Sequence, residues 1–349
     1  MRSSENVSWF ADITLKNRTA VGGKGGSLGE LTRAGIAVPP GFVVCSTAFE
    51  QHLSALEKED PVRQRIELVD DRELDGVTAL SERLRARLES GPFPADLQSE
   101  ILDAHAELCG EHHNWPLAVR SSATTEDSDD ASFAGLQDTY LWITGAGAML
   151  KCVRSCWASL YSVPSIVYRR KRRISEDVVA MAVVVQQMVD ARTAGVMFTR
   201  SPLTGDRSVI TIEATWGLGS AVVSGEVTPD RFVISKITGE ISVRSISDKH
   251  VRHMPLAGGG VAEVKTPDQM RRAPSLTDAE LTELKDIGRQ VEGLYGKPQD
   301  IEWAIDRVGK VFLLQSRPET VWFSKETSPV AKPAQNPIHH VMNIFGGRR

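Results

Sequence analysis

From Phe49 to Asn114, leucines and charged residues recur three or four positions apart, as at Leu80, Leu84 and Leu88. This spacing predicts a run of helices, with breaks at Gly76 and at Gly91-Pro92. The pattern changes after Pro116. Leu117 to Arg120 reads as a short buried strand, Ser121 to Gly135 as an acidic loop of small residues, and Asp138 to Thr144 as a returning strand, with helices up to about Arg173. Val178 to Val185 is a β-branched run bounded by polar residues, which predicts a central strand. Ala194–Thr199, Ser208–Ala214, Arg231–Ser235 and Glu240–Ser245, separated by Pro202, Gly205 and Gly239, predict an antiparallel meander. A helix over Asp278–Tyr295 and a hairpin over Asp300–Arg317 follow, and from Phe323 onward Ser, Pro and Lys suggest a linker or tail.

Near the N-terminus a glycine cluster leads into a short helix. Ser27 and Glu30 have the spacing of a capping box that would open it, and Gly35 reads as its end. A chain of 349 residues predicts two or three packed units. The formal charge, 41 Lys and Arg against 45 Asp and Glu, gives no electrostatic reason to expect nucleic acid or an anionic membrane as partner. The longest apolar run, Val178 to Val185, is far short of the roughly 20 residues that span a bilayer. The opening MRSSENVSWFADI lacks the apolar core of a secretory signal, and four Cys without a CxxC pair read as reduced thiols, so a cytoplasmic location is expected.

Three segments carry candidate chemistry. Gly22-Gly23-Lys24-Gly25-Gly26 offers backbone N–H groups and an ammonium, a combination that suits phosphate. A Walker loop would need Gly where Arg18 stands and a dinucleotide fingerprint would need Gly where Leu28 stands, so a flexible turn is an equal alternative for this segment taken alone. Arg120 ends a strand, where a guanidinium holds phosphate oxygens bidentately or pairs with Glu126 or Asp127; downstream, Gly135 and Thr139 offer a backbone and a hydroxyl over a polyphosphate. In the last hairpin, strand alternation puts Asp300 and Glu302 on one face and Ile301, Trp303 and Ile305 on the other. With a four-residue loop Arg307–Lys310, Glu302 lies opposite Gln315 and Asp300 opposite Arg317, while Ile301, Trp303 and Ile305 meet Ser316, Leu314 and Phe312. A carboxylate beside an amide oxygen suits Mg²⁺ when a nucleotide supplies the remaining oxygens; a solvated face with one salt bridge is the alternative.

These residues resemble the ATP-binding domain, of ATP-grasp type, at the N-terminus of phosphoenolpyruvate synthase, pyruvate phosphate dikinase and rifampin phosphotransferase. The resemblance runs through VGGKGGSLGEL (21–31), AVRSSATTEDSDDASFAGLQDTYL (118–141), VVVQQMV (183–189), AGVMFTRSPLTG (194–205), EATWGLGSAVVSGEVTPD (213–230), and DIEWAI through LLQSRPET (300–320). It implies an α+β fold of two lobes around a nucleotide cleft, with lobes at 1–177 and 178–322 and a tail at 323–349. It further implies Lys24 and Arg120 on phosphate, Gly135 and Thr139 in a loop over the triphosphate, Glu302 and Gln315 on Mg²⁺, and Asp300 and Arg317 beside the reacting phosphates. Gln186, Gln187, Met188 and Val189 would form a hinge that hydrogen-bonds adenine, and Glu213 would approach ribose or metal. The family often has Glu after its GLG motif, whereas Ser220 follows Gly219 here, so a contact at that position would be lost.

The longer relatives carry a swivelling domain whose His, after a Thr-Ser or similar pair, takes phosphate from ATP; none of the eight His here follows Ser or Thr. The resemblance therefore implies a His on a separate subunit, as in the split phenylphosphate synthase, with AMP and phosphate as by-products. A nucleotide sensor without transfer is the rival from another class, disfavoured by the intact set Asp300, Glu302, Gln315 and Arg317; a fragment of a longer phosphotransferase is a third reading. The basic run Arg169–Arg173 reads as a solvated helix face, and His105, Cys109, His112 and His113 as a surface helix rather than a metal site.

Overall fold

The computed structural model describes residues 3–14, 17–70, 72–112, 114–123, 138–319 and 322. Gly135, Glu126, Asp127, His113 and the tail from Phe323 lie outside the described residues. The elements run β1 (Val7–Trp9), α1 (Arg18–Arg33), β2 (Gly41–Val44), α2 (Ser46–Glu57), α3 (Val62–Leu68), α4 (Leu74–Ser90), α5 (Ala95–Cys109), β3 (Leu117–Ala123), β4 (Thr139–Ile143), α6 (Ala146–Ser159), α7 (Val163–Arg172), β5 (Met181–Gln187), β6 (Ala191–Phe198), β7 (Val209–Trp216), α8 (Ser220–Val223), β8 (Asp230–Ser235), β9 (Ile241–Ser245), β10 (Val251–Pro255), β11 (Val261–Lys265), α9 (Asp268–Arg271), α10 (Asp278–Tyr295), β12 (Gln299–Asp306) and β13 (Val311–Pro318). They form the expected α+β architecture. One antiparallel sheet has the order β1-β2-β5-β3-β4, a second β13-β12-β6-β7-β8-β9, and β10 pairs with β11.

Alternation along the strands decides what covers each face. In the first sheet Phe42, Val44, Val119, Val183 and Val185 share a core with Phe49, Leu84 and Trp157 of the helical layer. Val43, Ala182 and Val184 point the other way and meet Val21 and Leu28 of α1. In the second sheet Met197, Ile212, Phe232, Ile301, Trp303 and Leu313 pack on Leu281, Leu284 and Val291 of α10. Leu31 of α1 belongs to this second core, so α1 serves both sheets.

α1 differs from the capped helix expected from Ser27 and Glu30. It starts earlier, at Arg18, and breaks at Gly22, whose φ of 70° and ψ of 179° are not helical. Ser27 therefore lies inside the helix, where its hydroxyl donates to the Ser316 carbonyl at 2.7 Å across the gap to β13. The break is fixed from below by β3. The Ser122 hydroxyl donates to the Val21 carbonyl at 2.9 Å and accepts from the Gly25 N–H at 3.3 Å. A Cβ on Gly22 would stand 2.4 Å from both the Ser122 carbonyl oxygen and its hydroxyl.

Further expectations change for local reasons. Gly76 sits inside α4 and ends nothing. Arg169 is fully buried rather than solvated: Glu176 takes two of its N–H groups at 2.9 and 3.2 Å, and Leu160 and Ser165 accept others. His105 and Cys109 are likewise buried. β5 pairs with β2 and β3, so the passage between sheets comes after Gln187, later than a boundary at 177/178. The hairpin turn is one residue longer than expected, because Asp306 accepts from the Val308 and Lys310 N–H groups and Ile305 pairs with Val311. A bulge at Leu314 takes up the extra residue, so Trp303 meets Leu313 while Glu302 still meets Gln315 and Asp300 still meets Arg317. No helix among the described residues is long and apolar enough to cross a membrane.

The close approach at Gly22 gives a direct test. Gly22→Ala should cost about 1–3 kcal/mol of stability, read as a lowered urea midpoint, because it meets both a positive φ and a backbone oxygen. Gly26→Ala, whose Cβ would have its nearest neighbour at 3.4 Å in ordinary helical backbone, should be neutral or stabilising.

Candidate active site

Arg120, on β3 of the first sheet, reaches across to the β12–β13 hairpin of the second. Its Nη2 donates to Glu302 Oε2 at 2.8 Å and to Gln315 Oε1 at 2.5 Å. Its Nη1 donates to the Leu314 carbonyl at 3.2 Å. The third contact falls at the bulge, where Leu314 has no residue opposite it on β12. Arg120 is 9% exposed, and its buried Nε–H has no acceptor among the described residues. Thr139 is Arg120's cross-strand neighbour on β4.

Asp300 lies two residues before Glu302 on the same face and accepts from Arg317 Nε at 2.9 Å. Burial pushes its carboxyl above the usual aspartate range; Arg317 opposes this, and Glu302 and Glu319 reinforce it. The register carries this face further across the sheet. Glu302 is opposite Val196, Val196 opposite Glu213, and Glu213 opposite Arg231, so Glu213 shares the carboxylate face two strands away. Glu213 is also pushed up, first by burial, with Arg231 opposing and Asp300 adding to the rise. Lys24, 9% exposed, stands just beyond the Gly22 break in the segment held by Ser122, two residues along β3 from Arg120. The structure thus brings Arg120 into contact with Glu302 and Gln315, sets Asp300, Arg317 and Glu213 on the same face of the second sheet, and places Thr139 opposite Arg120 with Lys24 on the neighbouring helix.

The hinge residues stand at the other end of the hairpin. The Gln187 N–H donates to the Pro40 carbonyl and the Met188 N–H to the Pro116 carbonyl, each at 2.9 Å, and Gln186 Nε2 reaches the Pro39 carbonyl at 3.3 Å. The Val189 N–H makes no hydrogen bond among the described residues. Sequence reasoning missed the apolar floor here: Val189, Ala191, Ala194, Leu218 and Ala304 pack together, with Trp142, Met188, Val261, Phe312 and Leu314 around them. Ala304 follows Glu302 by two residues on the same face, which was readable from alternation, but the other members come from separate elements. A cavity of about 280 Å³ adjoins this floor and shares Met188, Val189 and Phe312 with it.

These features fit a nucleotide with a divalent ion. The carboxylate oxygen of Glu302 and the amide oxygen of Gln315 converge on one cationic nitrogen, so both already face a single positive centre, and hard oxygens of this kind suit Mg²⁺. The orphaned Arg120 Nε–H is a donor in want of an anionic acceptor. The apolar floor lies on the same face, as an aromatic base next to a polyphosphate requires.

Residues 18–337 match the family described as pyruvate phosphate dikinase, AMP/ATP-binding domain. The chain belongs to this family. It is 40% identical to the probable phosphoenolpyruvate synthase of Methanocaldococcus jannaschii, over 91% of this chain and 27% of that protein. The phosphoenolpyruvate synthase of Pyrococcus furiosus is 36% identical over 94% of this chain and 45% of its own length. A Streptomyces rifampicin phosphotransferase is 40% identical over 89% of this chain and 36% of its own length. The chain therefore spans less than half the length of these relatives. The family is that of an AMP/ATP-binding domain.

The raised carboxyls of this ATP-binding domain set a pH dependence. Asp300 and Glu213 hold their protons more tightly in the folded chain than in the unfolded one, where they titrate near about 3.9 and 4.3. Their contribution to stability should therefore fall as pH rises from those unfolded values through the higher folded ones. Asp300→Asn should flatten the decline of the urea midpoint above about pH 4 relative to the unsubstituted chain; an equal or steeper decline would contradict the assignment.

Proposed function

We propose that the chain holds ATP with Mg²⁺ in this cleft, that one phosphoryl group of ATP passes to a His on a separate, swivelling subunit and from it to a substrate hydroxyl, and that the other is taken by a water molecule, which leaves AMP and phosphate behind. The observation that carries the reading is the convergence of Glu302, Gln315 and Arg120 on one point beside an apolar floor. Lys24 and Arg120 neutralise the phosphate oxygens, and a planar guanidinium with a spare N–H orients them as well. The floor of Ala304, Ala194 and Val189 receives the base, with the Val189 N–H as a donor to its edge. Glu302 and Gln315 hold Mg²⁺, which supplies charge neutralisation on the transferred group. Asp300 keeps Arg317 aimed along the same face, where its guanidinium meets the reacting phosphates. Water exclusion between the two lobes protects the phosphoryl group until the acceptor arrives.

The relatives' names support the class of reaction: two are phosphoenolpyruvate synthases and one a rifampicin phosphotransferase, acting on different acceptors. Since the chain covers 27 to 45% of these three, a second reading follows, in which these residues are the ATP-binding part of one longer polypeptide that carries its own His.

Two measurements test the proposal. Calorimetry with Mg²⁺ and a non-hydrolysable ATP analogue should show binding that Lys24→Ala weakens at least about tenfold, equivalent to about 1.4 kcal/mol; unchanged affinity would remove Lys24 from the site. Incubated alone with ATP, the chain should make no AMP, whereas mixing it with a His-bearing partner should yield AMP and acid-labile phosphate on that His. Rapid AMP and a phosphorylated small molecule from this chain alone would overturn the partner assignment.

A further inference from the structure

We propose that Arg120 is an internal occupant of the metal position: in the nucleotide-free chain its guanidinium holds the oxygens of Glu302 and Gln315 and keeps free divalent ions out, and it releases them for phosphate only when nucleotide and metal enter together. The inference rests on the reading of this cleft as an ATP site. It adds an order of binding that the reading does not contain.

Three observations lead to it. First, Nη2 stands 2.8 Å from Glu302 Oε2 and 2.5 Å from Gln315 Oε1, so the lone pairs that an ion would use are already taken by a cation. A divalent ion bound by the same two oxygens would compete with Nη2 for them, and its charge would repel the guanidinium. Second, the contact joins different lobes: Arg120 belongs to β3 of the first sheet, Glu302 and Gln315 to β12 and β13 of the second. A third anchor, the Leu314 carbonyl at 3.2 Å from Nη1, holds the guanidinium at the bulge and makes this more than a single surface ion pair. Third, the arrangement leaves Arg120 incompletely satisfied. Its buried Nε–H has no acceptor among the described residues, whereas a phosphate group offers several oxygens to the same fork.

Metal alone must displace the guanidinium and deprive its Nη2 N–H groups of the acceptors they have. Metal that arrives with a triphosphate brings the replacement acceptors along. Arg120 therefore opposes free metal and favours metal bound to nucleotide, so its removal should affect the two in opposite directions.

Mn²⁺ serves as the probe. In nucleotide-free protein followed by electron paramagnetic resonance, Arg120→Ala and Arg120→Gln should bind Mn²⁺ at least about tenfold more tightly than the unsubstituted chain. Adding Glu302→Gln to either should abolish the gain. By calorimetry the same two variants should bind Mn²⁺ with a non-hydrolysable ATP analogue at least about tenfold more weakly. Unchanged free-metal affinity in folded variants, or a gain that survives Glu302→Gln, would overturn the exchange. Failure of the unsubstituted chain to bind metal with nucleotide would instead overturn the ATP-site reading itself. Should both substitutions unfold the chain, a crystal structure of the unsubstituted protein with Mg²⁺ and the analogue decides. Arg120 on a phosphate oxygen supports the exchange, and Arg120 still on Glu302 and Gln315 refutes it.

Discussion

Helix α1 belongs to two cores at once, and the cleft follows from that constraint. Leu28 packs into the first sheet and Leu31, one turn on, into the second. The helix is also bonded at both sides: Gly25 and Val21 to Ser122 of β3, and Ser27 to Ser316 of β13. Ser122 is two residues from Arg120, and Ser316 is next to Gln315. One helix thereby sets the spacing between a guanidinium on one sheet and its oxygen partners on the other. The glycines at its start serve this purpose, since at Gly22 no side chain fits against the Ser122 carbonyl.

The hairpin meets the helix through a second adjustment. A five-residue turn held by Asp306 would by itself shift the whole pairing by one residue and reverse the faces of β13 relative to β12. The bulge at Leu314 restores the pairing for Gln315 and Arg317 and puts the Leu314 carbonyl within reach of Arg120. That carbonyl accepts from Arg120. A local irregularity in the strand thus both aligns the polar pairs and adds an acceptor to the cleft.

These two features explain which parts of the molecule were legible in the sequence. Alternation in Asp300–Ile305 is a property of one strand, so the polar face with Glu302 and the apolar face with Trp303 could be read directly, and the register at Glu302 and Asp300 came out correctly although the turn and the bulge were each missed. Ser27 looked like a cap because capping spacing is local, while its actual partner is 289 residues away. Arg169 looked solvated because its run is basic, but a buried carboxylate, Glu176, was waiting after the helix. The strands β1 and β2, of three and four residues, are too short for a period to show. The apolar floor is assembled from single residues of six or more segments, and no window of sequence contains it.

Two ion pairs on the carboxylate face look alike and differ in what they depend on. Arg317 and Asp300 sit on adjacent strands of one hairpin, directly opposite each other, so their 2.9 Å contact survives any movement of the lobes. Its guanidinium side chain is 59% exposed, which leaves room for a ligand to share it without desolvating a buried charge. Arg120 and Glu302 sit on different sheets, and the Arg120 side chain is 11% exposed, so their pair depends on how the two sheets are spaced. A buried charge that loses its partner is costly, whereas an exposed one is readily resolvated. The same chemistry therefore has two consequences in one cleft. The cross-strand pair is fixed by the register of one hairpin, and the cross-sheet pair by the spacing that α1 sets between the two sheets.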